Sequence, residues 1–558
     1  MPYAESQSER VTSLNSSTGP AAPPAAPRDV PGAAEPATGP TGPGDRAESL
    51  ARAGQRAGRG GLAVTAAKIY FILTGLVQQV ALKGVLGLEG YGALSSTLAA
   101  ASIAYNPIVA ASIQGVSHAV ATAPEGDREQ ALRRVLRVHA LLALALGGTF
   151  LALAPSLGGL TGASHIVLGL QVLSAVLVVY GLYAPLVGAL NGLQSFVAQA
   201  GLDALAATLR TLGLVAGAWS LSRWGSEQFG GVEGAALGFA LSSMLVLLVA
   251  LRRVGIGRAG GSLPRLAHYL SFIGPILAGQ VLLNLLFQAD QLLLRRFSAD
   301  AAIAAGLEAT AADPLVGAYR ATQLFCFLPY QLVLSVSTVL FPMLARAHRE
   351  GDREAVARYV RRGMRLALIA GGLIVSVTGG ASGPLLRLVF GAETAALAAA
   401  PMQVLALGLG NLALLGVLTA VLNSLERQRL SLIVTGLACT LVVGLCFGRV
   451  RGLAFGPELL WHTAIATSVA LLAATLVAAW LVWRAAGAVV PLVSVVRVLA
   501  ALGGAVSLGR LWSPATALGT LLAASLIAAS YVLLLLVLRE LGARDWRELS
   551  SVVSRRPA

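Results

Sequence analysis

Glu125-Gly126-Asp127-Arg128-Glu129 returns 225 residues later as Glu350-Gly351-Asp352-Arg353-Glu354. At the same offset Tyr91-Gly92 meets Val316-Gly317, Tyr105 meets Tyr330, Ser112 meets Ser337, and Arg133 and Arg137 meet Arg358 and Arg362. A second echo pairs Leu190-Asn191-Gly192-Leu193-Gln194 with Leu422-Asn423-Ser424-Leu425-Glu426, 232 residues apart. Two echoes in the same order, at nearly equal spacing, mark an internal duplication.

Composition says what is duplicated. The 558 residues are 56% hydrophobic and 12% charged, about half the charge of an average soluble domain. Mean hydropathy is +0.75. From Leu62 onward, apolar runs of about 18–25 residues alternate with short polar breaks, each run long enough to cross ~30 Å of hydrocarbon. Fourteen runs are expected as spans: 62–84, 91–119, 137–155, 165–189, 196–221, 231–251, 268–294, 315–342, 363–383, 396–422, 430–448, 459–483, 491–511 and 515–538. Six of them separate the two charged loops, and an even number returns the chain to the same side. The halves are therefore parallel, related by an axis along the membrane normal, as in one build of alternating-access transporters. The expected fold is an all-α polytopic membrane protein, with two parallel six-helix lobes around a central cavity and two extra C-terminal helices. The N-lobe is expected over 62–251, the C-lobe over 268–483, the extra pair over 491–538 and a cytoplasmic tail over 539–558. Residues 1–61 hold nine of the 24 prolines and one aromatic, Tyr3. Such a segment buries too little surface to offset its ordering entropy, so a disordered cytoplasmic tail is expected there.

The net charge of +15 follows the loops. Twenty-eight basic residues fall on one side of the expected spans and eight on the other, which puts both termini in the cytoplasm, with the chain in the cytoplasmic (inner) membrane. That distribution argues against nucleic acid as a partner. Cys326, Cys439 and Cys446 all lie in apolar stretches and read as core residues. There is no GxxxxGK[ST], HExxH or DxD motif, and the six histidines are scattered. No enzyme activity, cofactor or metal site is expected.

Val316-Gly317-Ala318-Tyr319 through Leu328-Pro329, then Val339-Leu340-Phe341-Pro342 and Glu350-Gly351-Asp352, resemble the polysaccharide flippases of the multidrug/oligosaccharidyl-lipid/polysaccharide exporter superfamily. Asp290, Phe390-Gly391, Leu422-Asn423-Ser424-Leu425 with Arg427-Gln428, and Gly87-Leu88-Glu89-Gly90-Tyr91-Gly92 extend the resemblance over about residues 62–483. It implies two six-helix lobes in a V around a cavity. It also implies an undecaprenyl-pyrophosphate-linked oligosaccharide turned from the inner to the outer leaflet for surface polysaccharide synthesis. Membrane lipids and the polysaccharide polymerase machinery are the partners implied, with the chain acting as a monomer. Two alternatives stay open: a lipid II flippase of peptidoglycan synthesis, and a drug/cation antiporter of the same superfamily. The lipid II flippases carry an arginine about five residues before the proline corresponding to Pro329. Arg320 lies nine before it, so the face is similar and the depth is not.

Ionisable groups inside spans are the first candidates for function, because each costs about 2.5–3.5 kcal/mol at mid-membrane on insertion scales. Lys83, Arg210 and Arg320 are expected to form a cationic surface in the cleft for the pyrophosphate. Asp203, seven residues from Arg210, and Asp290 are expected as charge partners or ion-coupling groups. The competing reading has Lys83 and Arg320 snorkelling to headgroups and Asp290 pairing with Arg320 or Arg295. Gln78 and Asn284 are candidates for sugar hydroxyls, against the plainer role of tying helices together. Pro329 and Pro342 are expected to kink the eighth span.

Overall fold

The computed structural model describes residues 43–226, 230–258 and 266–542. The elements are helices: α1 (Pro43–Thr122), α2 (Arg128–Leu160), α3 (Val167–Gly192), α4 (Phe196–Trp224), α5 (Gly231–Val254), α6 (Leu266–Ala304), α7 (Asp313–Cys326), α8 (Leu328–Arg349), α9 (Arg353–Gly380), α10 (Ser382–Phe390), α11 (Ala392–Ser424), α12 (Gln428–Arg449), α13 (Glu458–Ala486), α14 (Leu492–Arg510) and α15 (Ala517–Val537). Helix occupies residues 43–61, where the composition predicted no order. Residues 1–42 of that expected tail, and 543–558 of the C-terminal one, lie outside the described residues.

Among the described residues twelve helices are long and apolar enough to span a membrane, against the fourteen expected, and the difference sits at two places. The first is the 53-residue stretch Tyr70–Thr122, which as a straight rod would measure about 80 Å. It is instead two helices joined at Gly87, whose φ of 71° is open to glycine. The chain doubles back there: the Tyr91 hydroxyl donates to Gln79 Oε1 at 2.8 Å, although twelve residues of continuous helix would hold them about 18 Å apart. The second is the eighth span, broken at Phe327 between α7 and α8. Pro329 supplies no N–H to the preceding turn, and the helix restarts around it. Pro342 lies inside α8 without interrupting it. The seventh span, expected to end at 294, runs on as α6 to Ala304.

α2, α3, α4 and α5 pack on one another; α6 through α13 form a second set, with α11 and α13 at its centre. The duplication is visible in the backbone. α2 starts at Arg128 and α9 at Arg353, 225 residues apart. α3 and α11 end in the same left-handed cap, with φ 56° at Gln194 and 59° at Glu426. Ser195 N–H reaches Leu190 O at 2.8 Å and Arg427 N–H reaches Leu422 O at 2.9 Å, closing both ends alike.

The two copies meet at equivalent residues. A Cβ on Gly92 would stand 1.9 Å from the Asp313 carbonyl oxygen, and one on Gly317 would stand 2.5 Å from that of Leu88. Leu88 and Asp313 are themselves 225 apart. The contact therefore maps onto itself when the halves are exchanged, which puts the pseudo-two-fold axis between Gly92 and Gly317. Both helices enter this contact from the side opposite the arginine-rich loops and run the same way, so the repeats are parallel.

α14 and α15 pack against each other and against α9. The buried Glu540 carboxylate, just beyond α15, pairs with Arg365 of α9 at 2.7 Å and Arg497 of α14 at 3.5 Å. This ties the extra pair to the second lobe.

Gly92→Ala is expected to wedge the lobes apart on the side away from the arginine-rich loops, at a cost of about 1–3 kcal/mol to the closed form. Spin labels at Ser164 and Ile303, one on each lobe, should report a longer mean distance than in the unsubstituted protein. An unchanged distance distribution would remove the glycine pair from its controlling position.

Candidate functional site

A cavity of about 370 Å³ lies between the lobes, walled by α1, α4, α6, α7 and α8. Its polar groups arrive from both copies: Gln78, Gln79, Ser95, Asn106, Arg210 and Thr211 from the first, Gln288, Arg320 and Gln331 from the second. Among the described residues that line it there is no aspartate or glutamate. Two guanidinium groups thus face one space with no carboxylate in its wall to neutralise them, an arrangement that attracts an anion.

Arg210 projects from α4, half-buried, with its Cζ 4.9 Å from the centroid of the Phe239 ring. The aromatic face holds the planar cation without cancelling its charge. Its buried Nε has no hydrogen-bond partner among the described residues, and neither does the buried Gln288 Oε1 across the cavity. Arg320 projects from α7 and donates from one terminal nitrogen to Gln323 Oε1 at 3.3 Å. These two of the three expected cations share the cavity. Lys83 does not line it; its Nζ lies beside Gly391, where α10 ends, and a cation is favoured near a helix C-terminus.

The expected carboxylate partners stand elsewhere. Asp203 lies on α4 one turn from Gln199, and among the described residues no ion pair joins it to Arg210. Asp290 is 2% exposed on α6. It pairs with neither Arg320 nor Arg295. Instead it accepts from the Tyr319 hydroxyl at 2.7 Å, the Gln291 N–H at 2.8 Å, Gln323 Nε2 at 3.1 Å and the Thr467 hydroxyl at 3.3 Å. Four neutral donors from three helices make it a structural node of the second lobe. Gln78 is in the cavity wall and accepts from Thr211 at 3.5 Å. Asn284 accepts from Asn106 Nδ2 at 2.9 Å, joining α6 to α1 across the two lobes, the plainer of its two expected roles.

Toward the side opposite the arginine-rich loops the lobes close over the cavity. Asp313, at the start of α7, lies 3.0 Å from Arg295 Nε and 2.9 Å from Nε2 of His165, which comes from the other lobe. Arg296 donates to the Gly159 carbonyl at 2.9 Å, a second contact across the lobes. Arg295, one residue beyond the expected end of the seventh span, is wholly buried, because α6 runs on past it. Sequence reasoning missed Asp313, His165 and Gln323. The Asp-Pro pair at 313–314, a helix-start signature, was the available signal for the first.

Asp290→Leu keeps most of the volume and strands the Tyr319, Gln323 and Thr467 donors, each worth about 1–3 kcal/mol when left unpaired. The melting temperature of the purified protein should fall well below that of Asp290→Asn, which retains an acceptor. Equal melting of the two variants would contradict the node.

The family model described as polysaccharide biosynthesis protein matches residues 57–348, just over half of the chain. A second, MatE, matches residues 275–448. No curated protein matches. Among solved structures, the lipid II flippase MurJ in an inward closed conformation superposes with a TM-score of 0.69 at 15% identity, covering 86% of this chain and 99% of that one. An inward-facing multidrug resistance MATE family transporter of the MOP superfamily gives 0.58 at 17% identity, covering 76% and 98%. A MOP superfamily transporter from Pyrococcus furiosus gives 0.52 at 17% identity, covering 75% and 95%. The fold is that of these multi-pass membrane transporters.

Proposed function

We propose, from the premise that this chain belongs to the polysaccharide biosynthesis protein family, that it flips an undecaprenyl-pyrophosphate-linked oligosaccharide from the inner to the outer leaflet of the cytoplasmic membrane by alternating access. The observation that carries the proposal is the meeting of Arg210 and Arg320, one from each lobe, in a cavity whose lining includes no carboxylate. A lipid-linked sugar keeps its tail in hydrocarbon, while its anionic, hydrated head needs a polar path. Two guanidinium groups suit a pyrophosphate, since their forked donors match its oxygens. Gln78, Gln79 and Asn106 offer hydrogen bonds to hydroxyls. The contacts at Gly92–Gly317 and Asp313 fit a form sealed on the side opposite the arginine-rich loops.

A lipid II substrate is the second reading. It is favoured by the larger share of this chain that superposes on the lipid II flippase, 86% against 76% for the multidrug transporter. The depth of Arg320 relative to Pro329 weighs against it. A drug/cation antiporter reading rests on Asp203, which lies outside the cavity wall.

Arg210→Ala and Arg320→Ala should each lower the amount of lipid-linked sugar reaching the outer leaflet by about tenfold or more, the loss typical of a charged hydrogen-bonding group. The host's drug sensitivity should stay unchanged. Substrate accessible to an outer-leaflet hydrolase is the measurement. Undiminished surface material with altered drug efflux in Asp203→Asn would replace the flippase with the antiporter, and accumulation of lipid II in the arginine variants would select the second reading.

A further inference from the structure

We infer that Gln323 is a positioning residue for the cavity: it holds the Arg320 guanidinium in the wall while keeping that cation out of an ion pair with Asp290. The inference rests on the reading of the cavity as an anion site. Gln323 is wholly buried on α7, one turn along the same face from Arg320. Its Nε2 donates to both oxygens of Asp290, at 3.1 and 3.3 Å, and its Oε1 accepts from Arg320 at 3.3 Å.

The orientation of this amide is forced. Asp290 accepts from every donor around it, so the NH2 end of the amide faces Asp290 and its carbonyl end faces away. What stands there is a guanidinium, which can only donate. One neutral side chain therefore satisfies a buried anion at one end and a cavity cation at the other. Asp290 is already held by Tyr319, Thr467 and the Gln291 N–H, so it is a fixed anchor for the amide. A direct Asp290–Arg320 pair would spend the cation inside the lobe. With glutamine interposed, Arg320 is oriented by the carboxylate yet remains available to an anion in the cavity.

Methionine at this position nearly keeps the shape and deletes both hydrogen bonds; glutamate keeps the acceptor and brings a carboxylate against Arg320. The full-length protein in lipid nanodiscs is titrated with undecaprenyl pyrophosphate, using Gln323→Met, Gln323→Glu, Arg320→Met and the Gln323→Met/Arg320→Met double variant. Arg320→Met is expected to weaken binding about tenfold and Gln323→Met about fivefold. In the Arg320→Met background the added loss from Gln323→Met should shrink to about twofold or less, because coupled residues are not additive. Gln323→Glu should bind no better than Arg320→Met. Equal losses from Gln323→Met in both backgrounds would make Gln323 a merely structural residue and overturn the inference. So would full affinity in Gln323→Met and Gln323→Glu beside a weakened Arg320→Met. Full affinity in Arg320→Met itself would instead overturn the reading of the cavity. Should Gln323→Met fail to fold, the comparison of Gln323→Glu with Arg320→Met carries the test.

Discussion

Gly92 and Gly317 let two backbones touch on the pseudo-symmetry axis, and the placement of the other inter-lobe groups follows from that approach. With any side chain at either position the carbonyls of Asp313 and Leu88 would have to retreat. At this separation Tyr91, next in sequence, is driven inward, where its ring lies 6.0 Å from Phe390 and its hydroxyl reaches Gln79. The same approach brings His165 of one lobe within 2.9 Å of Asp313 of the other. The lobes also touch on the arginine-rich side, where the Tyr269 hydroxyl of α6 lies 2.7 Å from His139 Nε2 of α2, and Arg210 and Arg320 line the cavity between the lobes.

Charge is handled in three different ways within a short distance. Asp290 is satisfied by neutral donors alone, which suits an anion meant to stay in place. Asp313 is flanked by a buried arginine of its own lobe and by a histidine of the other, so separating the lobes parts the histidine contact and leaves the arginine in place. Such contacts stabilise little in net terms once desolvation is counted, which suits a seam that must also open. Arg210 and Arg320 have neither arrangement. One rests on an aromatic face and the other on an amide, and both retain their charge. That contrast, rather than the presence of arginine as such, distinguishes the cavity from the rest of the protein's interior.

Sequence periodicity and the echo at offset 225 carried the architecture, because hydrophobic run length and repeat spacing are local, additive signals. Gly92 and Gly317 were already paired by that echo, although their physical contact was not readable from it. Arg210 and Arg320 were legible as site residues because an ionisable group in an apolar run is costly wherever it points. Lys83 met the same criterion and proved to sit by the end of α10, since depth along a helix follows from the pattern while azimuth depends on neighbours distant in sequence. Gln323 escaped notice for the opposite reason. A glutamine in a span carries no such cost signal, and its importance appears only when Asp290 and Arg320 are found on either side of its amide. The continuation of α6 to Ala304 hid Arg295 and Asp313 in the same way, because a charged segment reads as a loop until its charges are seen to pair.

The duplication extends to the scaffold and stops at the site. At the 225-residue offset Arg320 corresponds to Ser95 and Gln323 to Leu98, both of which have their own contact with the cavity or its wall. At the 232-residue offset Arg210 corresponds to Val442, which is wholly buried in the second lobe. A symmetric hinge needs equivalent backbone contacts, and those are kept: the glycine pair, the helix starts at Arg128 and Arg353, the caps at Gln194 and Glu426. Under the proposed function the headgroup has no two-fold symmetry, since one end carries phosphate and the other sugar, so a symmetric set of cations would fit it in two opposed directions. Placing one guanidinium on α4 and the other on α7, opposite serine and away from its own repeat's valine, breaks that degeneracy while leaving the rocking contact symmetric.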